Sequence, residues 1–191
     1  EAAQKDAPLA PQRVMKLLSE AIPPEAVVAL DTGDHSLWWG RSFENRGQRV
    51  LLSGRWRTLG FALPAGIAAG LASPKRPIVA VAGDGGVQQT LVEFKTAAKL
   101  GLPITLVVLN NGAYAIEFNR MRGAGLEPIG ATLENPDFAA IAVACGGFGV
   151  RADDEASFRD ALATAFGPDR GDKPMLIEVA TAPLAMPHGT I

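Results

Sequence analysis

Ile78-Val79-Ala80-Val81-Ala82-Gly83-Asp84-Gly85-Gly86 is the stretch that decides the fold. Five apolar residues without polar alternation read as a strand buried on both faces, and the glycine-rich turn that follows ends it before a helical pattern begins at Leu91. Five further runs read as strands: Val27–Asp31, Val50–Ser53, Ile104–Asn110, Gly147–Arg151 and Met175–Val179. Helical patterns lie among them. Residues 11–21 are amphipathic. Leu91–Leu100 is bracketed by Thr90 as N-cap and Gly101 as C′, Asn135-Pro136 opens a helix through Phe138–Cys145 to Gly146, and Asp153 or Asp154 opens another that runs through Phe166. Strands that are apolar on both faces and separated by helices predict α/β architecture: a doubly wound, mostly parallel sheet with helices on both faces, its ligands beyond the carboxyl ends of the strands. Segment 122–135 is polar, glycine-rich and weakly periodic, the pattern of a loop that orders when something binds.

Composition narrows the function classes. The chain has 191 residues, 48% of them hydrophobic, enough for one substantial core, so residues 1–191 are expected to form a single domain. Eighteen Lys and Arg against twenty Asp and Glu leave a net charge of −2 with no basic run, which argues against a nucleic-acid partner. No apolar stretch is long enough to span a membrane, and the first ten residues lack a signal-peptide core, so a soluble, cytoplasmic protein is expected. Cys145, the single cysteine, reads as a small buried residue.

The turn after Ala82 offers backbone N–H groups to an anion. It is not a dinucleotide fingerprint, because Gln88 stands where a third glycine is needed and Asp84 repels a pyrophosphate. Something must neutralise that charge. The next strand ends in Asn110-Asn111, which places a carboxylate and a carboxamide, both hard oxygen donors, beside the turn. Mg²⁺ bridging to a diphosphate satisfies all three groups.

Gly83-Asp84-Gly85, twenty-four residues, then Asn110-Asn111 resembles the motif of thiamine-diphosphate (ThDP) enzymes: acetolactate synthases, pyruvate oxidases, and benzoylformate and pyruvate decarboxylases. The resemblance extends from the Pro11-Gln12-Arg13-Val14 helix to the strand Met175–Val179. It implies that Asp84, the Asn111 side chain and the Ala113 carbonyl ligate Mg²⁺, while Gly83, Gly85 and Gly86 frame the diphosphate and Tyr114 and Ala115 follow the motif beside the cofactor. Asp31-Thr32-Gly33-Asp34-His35-Ser36-Leu37-Trp38 is similar to the segment that closes over the diphosphate. It puts His35 as a donor to a phosphate oxygen, with Asp34 where the family usually has a neutral polar residue. Thr58-Leu59-Gly60-Phe61-Ala62-Leu63-Pro64-Ala65 is similar to the stretch whose large apolar residue, here Leu59, props the cofactor in its reactive bent form, with the Arg57 carbonyl accepting from the aminopyrimidine.

The resemblance implies a C-terminal diphosphate-binding domain of a longer enzyme that decarboxylates a 2-oxo acid and transfers or releases the acyl carbanion. The pyrimidine-binding and middle domains are absent from this chain, so the fragment alone is expected to be inactive. A pyrimidine-binding domain of the parent or of a second subunit, in a homodimer or homotetramer, is the expected partner, and FAD is a possible further cofactor of the parent. Residues 31–38 and 59–65 resemble the synthase and oxidase side. Residues 110–117 are nearer to the decarboxylases, where the matching Glu117 is catalytic. Two rival classes stand: a non-catalytic binding or regulatory module, and a Rossmann-type dehydrogenase domain.

Overall fold

The structure, a computed structural model, describes residues 8–185. The secondary structure runs α1 (Pro11–Ala21), β1 (Val27–Leu30), α2 (Asp34–Ser42), β2 (Arg49–Leu52), α3 (Ala62–Ala72), β3 (Ile78–Gly83), α4 (Asp84–Val87), α5 (Phe94–Lys99), β4 (Ile104–Asn110), α6 (Ala115–Gly123), α7 (Phe138–Ala144), β5 (Phe148–Ala152), α8 (Glu155–Phe166) and β6 (Met175–Ala180). All six strands fall within a residue or two of the positions read from sequence. They form one sheet in the order β2-β1-β3-β4-β6-β5, and every pairing is parallel.

The sheet is doubly wound because alternate residues of the central strands feed two separate cores. Val28, Leu30, Val79, Val81, Val107 and Leu109 pack on one face with Val14 and Leu18 of α1, Trp38 of α2 and Phe158 of α8. Ala80, Ala82, Leu106 and Val108 pack on the other with Leu63 of α3, Phe94 of α5 and Phe138 of α7. Neither face of β3 or β4 meets water, which is why their sequences show no alternation. After β1 the chain turns outward to β2, then crosses back to lay β3 on the other side of β1. The strand order reverses there, and a crevice opens beyond the carboxyl ends of β1 and β3.

Several helix readings are corrected. Leu91–Leu100 is not one helix: Leu91–Glu93 is a 3-10 turn and α5 starts at Phe94. Thr90 does not cap it; its hydroxyl donates to the Gly60 carbonyl, 3.1 Å away. Asn135-Pro136 does not open α7 either, since Asp137 is the N-cap, accepting from the Ala140 N–H at 2.7 Å. The expected α8 cap holds: Asp154 forms a capping box with Ser157. Cys145 is half-buried at the end of α7 rather than fully buried. Segment 122–135 begins inside α6, and its far end is tied down by an Ala113–Thr132 bridge and by the Tyr114 and Leu133 N–H groups bonding to Ala131 and Gly112. Among the described residues no helix is long and apolar enough to cross a membrane. The reading of the first ten residues falls mostly on 1–7, outside the described residues.

Candidate functional site

Three strand ends and three helix starts meet at the crevice. The carboxyl ends of β1, β3 and β4 lead into α2, α4 and α6, and the first turns of those helices line a cavity of about 330 Å³. Every residue singled out from the sequence lies on its wall: Asp34 and His35, Arg57 and Leu59, Gly83 through Gly86, Asn111, Ala113, Tyr114, Ala115 and Glu117.

Asp84 is the centre of the arrangement. It is 2% exposed, and its neighbours are N–H donors rather than a Lys or Arg: Oδ1 accepts from Gly85 N at 2.9 Å, and Oδ2 from Gly112 N and Asn135 Nδ2, each at 2.8 Å. Burial pushes its pKa up against the pull of these donors. A buried carboxylate without a compensating cation is costly, so the site is built to take one. Beside it, Asn111 Oδ1 accepts from Ala113 N at 3.0 Å and, among the described residues, from no other donor, which leaves a lone pair for a cation. No backbone N–H is bonded to the Ala113 carbonyl among the described residues. One carboxylate, one amide oxygen and one free carbonyl are hard donors that fit Mg²⁺ if the remaining positions are filled by water and phosphate. No group of three or more His, Cys, Asp or Glu forms a protein-only metal cage among the described residues.

The glycines are small here for reasons of space. A Cβ on Gly85 would sit 2.4 Å from Tyr114 Cε1, one on Gly86 would sit 3.0 Å from Asp31 Oδ2, and one on Gly83 would sit 3.1 Å from His35 Nδ1. The start of α6 adds first-turn N–H groups, and in α2 the Ser36 N–H is already bonded to the Gly33 carbonyl at 3.0 Å.

His35 differs from its expected role in one respect. It is buried, its Nε2 lies 3.0 Å from the Asp31 carbonyl, and burial lowers its pKa to about 4. The ring is therefore neutral near pH 7, with its N–H spent on Asp31 and Nδ1 left as an acceptor. Donation to a phosphate requires a second proton. Asp34 lines the cavity, but its Oδ2 accepts from Trp38 Nε1 at 2.7 Å within α2, and burial raises its pKa. Leu59 is 38% exposed, so it stands at the rim rather than in the core. Arg57 has φ 50°, the one positive-φ residue other than glycine among those described. Glu117 is exposed in the first turn of α6.

Two contributors escaped the sequence reading. Asp31 is 1% exposed and accepts from Thr32 N (2.8 Å), Gly60 N (3.0 Å) and Phe61 N (3.2 Å), which docks the Leu59 turn against the end of β1. Asn135 bonds Asp84 and Asn110 from a distant segment. Asp31 carries a signal, an acid directly after a buried strand, whereas nothing local marks Asn135.

Residues 31–179 match the family described as thiamine pyrophosphate enzyme, C-terminal TPP binding domain. This chain belongs to that family. Among thiamine pyrophosphate enzymes and their relatives, it is 35% identical over 174 residues to YdaP of Bacillus subtilis (strain 168), covering 90% of this chain and 30% of that protein. It is 32% identical over 166 residues to the acetolactate synthase of Mycobacterium leprae (strain TN), covering 83% and 27%. In structure it is similar to the thiamine diphosphate-dependent 4-hydroxybenzoylformate decarboxylase of Rhodococcus jostii RHA1, with a TM-score of 0.80 at 28% identity, covering 95% of this chain and 34% of that one. The chain thus spans about a third or less of the length of these relatives. The family assignment replaces the dehydrogenase reading.

Proposed function

We propose that this chain holds the Mg²⁺ and diphosphate of ThDP in a longer enzyme that decarboxylates a 2-oxo acid. The observation that carries the proposal is the buried Asp84 carboxylate, which has no Lys or Arg partner among the described residues and lines one cavity with Asn111 and Ala113 where three helix starts converge. Asp84, the Asn111 side chain and the Ala113 carbonyl would hold the metal, and the Gly85 and Gly86 backbone with the α6 first turn would face the diphosphate. When bound, ThDP supplies the nucleophilic carbon and the electron sink for loss of CO₂.

The remaining steps belong to the protein. Leu59 on the cavity wall would prop the bound ligand, and the Arg57 carbonyl would accept a hydrogen bond from its amino group. Glu117, on the cavity wall, would pass a proton to or from the reacting acyl group, with a pyrimidine-binding domain from the same or a second subunit covering the site and excluding water.

The relatives include an acetolactate synthase and decarboxylases, and Glu117 is the residue we propose to separate the two fates of the acyl group. The test uses the full-length enzyme with a panel of 2-oxo acids, following CO₂ release with and without Mg²⁺ and ThDP. Release that requires both supports the proposal; no release from any member, or release without them, refutes it. Within the active case, Glu117→Gln should slow turnover by about 10²-fold if Glu117 handles the proton. Unchanged turnover and product ratio would reduce it to a helix-terminus charge.

A further inference from the structure

Behind the proposed metal ligand lies a chain of side-chain hydrogen bonds that crosses the sheet. Arg151 on the edge strand β5 approaches Glu178 Oε1 on β6 at 3.9 Å. Glu178 Oε1 accepts from Asn110 Nδ2 at 2.8 Å, Asn110 Oδ1 accepts from Asn135 Nδ2 at 2.8 Å, and that same Nδ2 donates to Asp84 Oδ2 at 2.8 Å. The far side of Asn135 is held too, since its Oδ1 accepts from Gln88 Nε2 at 2.9 Å.

The chain admits one orientation of its amides. The Gly112 N–H also points to Asn110 Oδ1, at 3.3 Å, so Asn110 turns its oxygen to Asn135 and its NH₂ to Glu178, and Asn135 must turn its NH₂ to both Asn110 and Asp84. Both hydrogens of Asn135 Nδ2 are then used. The consequence falls on Asp84. Its Oδ2 takes two close donors, Gly112 N and Asn135 Nδ2, each at 2.8 Å, whereas Oδ1 takes Gly85 N at 2.9 Å, and the Asn111 backbone N–H adds the smallest pull of the four on the carboxylate.

We infer that Asn135 is a positioning residue for the cation site: it fills Asp84 Oδ2, locks the carboxylate rotamer, and so decides that Oδ1 is the oxygen offered to the metal. This rests on the proposed metal-holding role of Asp84 and goes beyond it. Asn135 also pins the end of the 122–135 segment, which pairs with Ala113 through Thr132, so one side chain couples the carboxylate ligand to the strand end that carries the other two. Its partners lie 25, 47 and 51 residues away in sequence, and no helix cap or turn in its own neighbourhood uses its side chain.

The experiment titrates Mn²⁺ into the full-length enzyme at fixed ThDP, reading bound metal by electron paramagnetic resonance and cofactor binding by tryptophan fluorescence, for wild type, Asn135→Ala and Asn135→Ser. Unfolding temperatures are measured in parallel without metal. Loss of a group that orients a metal ligand should raise the half-saturating Mn²⁺ concentration by about 10–100-fold in Asn135→Ala. A smaller rise is expected in Asn135→Ser, which decides by the same criterion should the alanine variant not fold. An unchanged half-saturation, with or without a lowered unfolding temperature, overturns the inference and leaves Asn135 as a packing tie. Wild-type cofactor binding that needs no divalent cation overturns the metal site itself, and the inference with it.

Discussion

The buried histidine gives the sharpest solution test of the site's electrostatics. His35 titrates at about 4 in the fold and near 6.5 in an unfolded chain, because burial disfavours the imidazolium. The unfolded state therefore binds more protons between those values, and the contribution of His35 to stability falls as pH falls. One pKa unit is worth about 1.4 kcal/mol, so the loss is negligible at pH 7, about 2 kcal/mol at pH 5 and about 3 kcal/mol at pH 4. The acids Asp31, Asp34 and Asp84, whose pKa values burial raises, work in the opposite direction as pH falls, so the wild-type profile alone mixes the effects. The difference between wild type and His35→Gln isolates the histidine. Urea unfolding at pH 7 and pH 5 should show that difference shift by about 2 kcal/mol in favour of the variant. The chain has two histidines, so the ring resonances of His35 can be followed directly by NMR. Parallel stability profiles, or a ring that titrates near 6.5, would refute the buried neutral imidazole. Bound Mg·ThDP should move the midpoint upward, since a phosphate against Nδ1 favours the protonated ring.

Other substitutions probe the walls of the cavity. Gly85→Ala places a methyl group where Tyr114 lies, 2.4 Å from its ring, so it should weaken ThDP binding, read by calorimetry, with a stability loss of about 1–3 kcal/mol. Leu59→Ala should lower turnover more than cofactor affinity; because Leu59 is 38% exposed, the unfolding free energy should fall by only about 1–2 kcal/mol, less than for a core leucine. Arg57→Gly relieves a left-handed backbone that costs about 1–2 kcal/mol, offset by glycine's entropy of about 0.5–1, so the unfolding temperature should rise slightly. A fall would show that the Arg57 side chain is held by the fold.

The strands and the site were legible for the same reason. Runs such as Ile78–Ala82 and Ile104–Leu109 are apolar on both faces because both faces are covered, and the residues that end them, Asp84 and Asn111, are where a doubly wound sheet exposes chemistry. Helices were harder. The α3 segment Ala62–Ala72 is apolar nearly all round, with Gly66 and Gly70 laid against Ala80, Ile104 and Leu102, so it has no 3.6-residue period to announce it. The segment containing α2 was read for its cofactor resemblance rather than its helix, whose N-cap, Gly33, makes no side-chain cap. Asn135-Pro136 matches a local helix-start pattern, but Asp137 reaches the Ala140 N–H and caps α7 instead. The bonds of Asn135 to residues 84, 88 and 110 are tertiary, and no window of sequence around it contains them. His35 was legible as a cavity residue, but its protonation state depends on burial and on the Asp31 carbonyl, which only the packed structure supplies.

The central claim is that Asp84 and Asn111 anchor ThDP through a divalent cation, and calorimetry of ThDP binding to the full-length enzyme tests it most directly. Wild type should bind in the presence of Mg²⁺ and lose binding on chelation, and Asp84→Ala and Asn111→Ala should each need far higher Mg²⁺ to bind while unfolding as cooperatively as wild type. Tight binding by wild type in chelator, or unchanged Mg²⁺ dependence in both variants, would contradict the account.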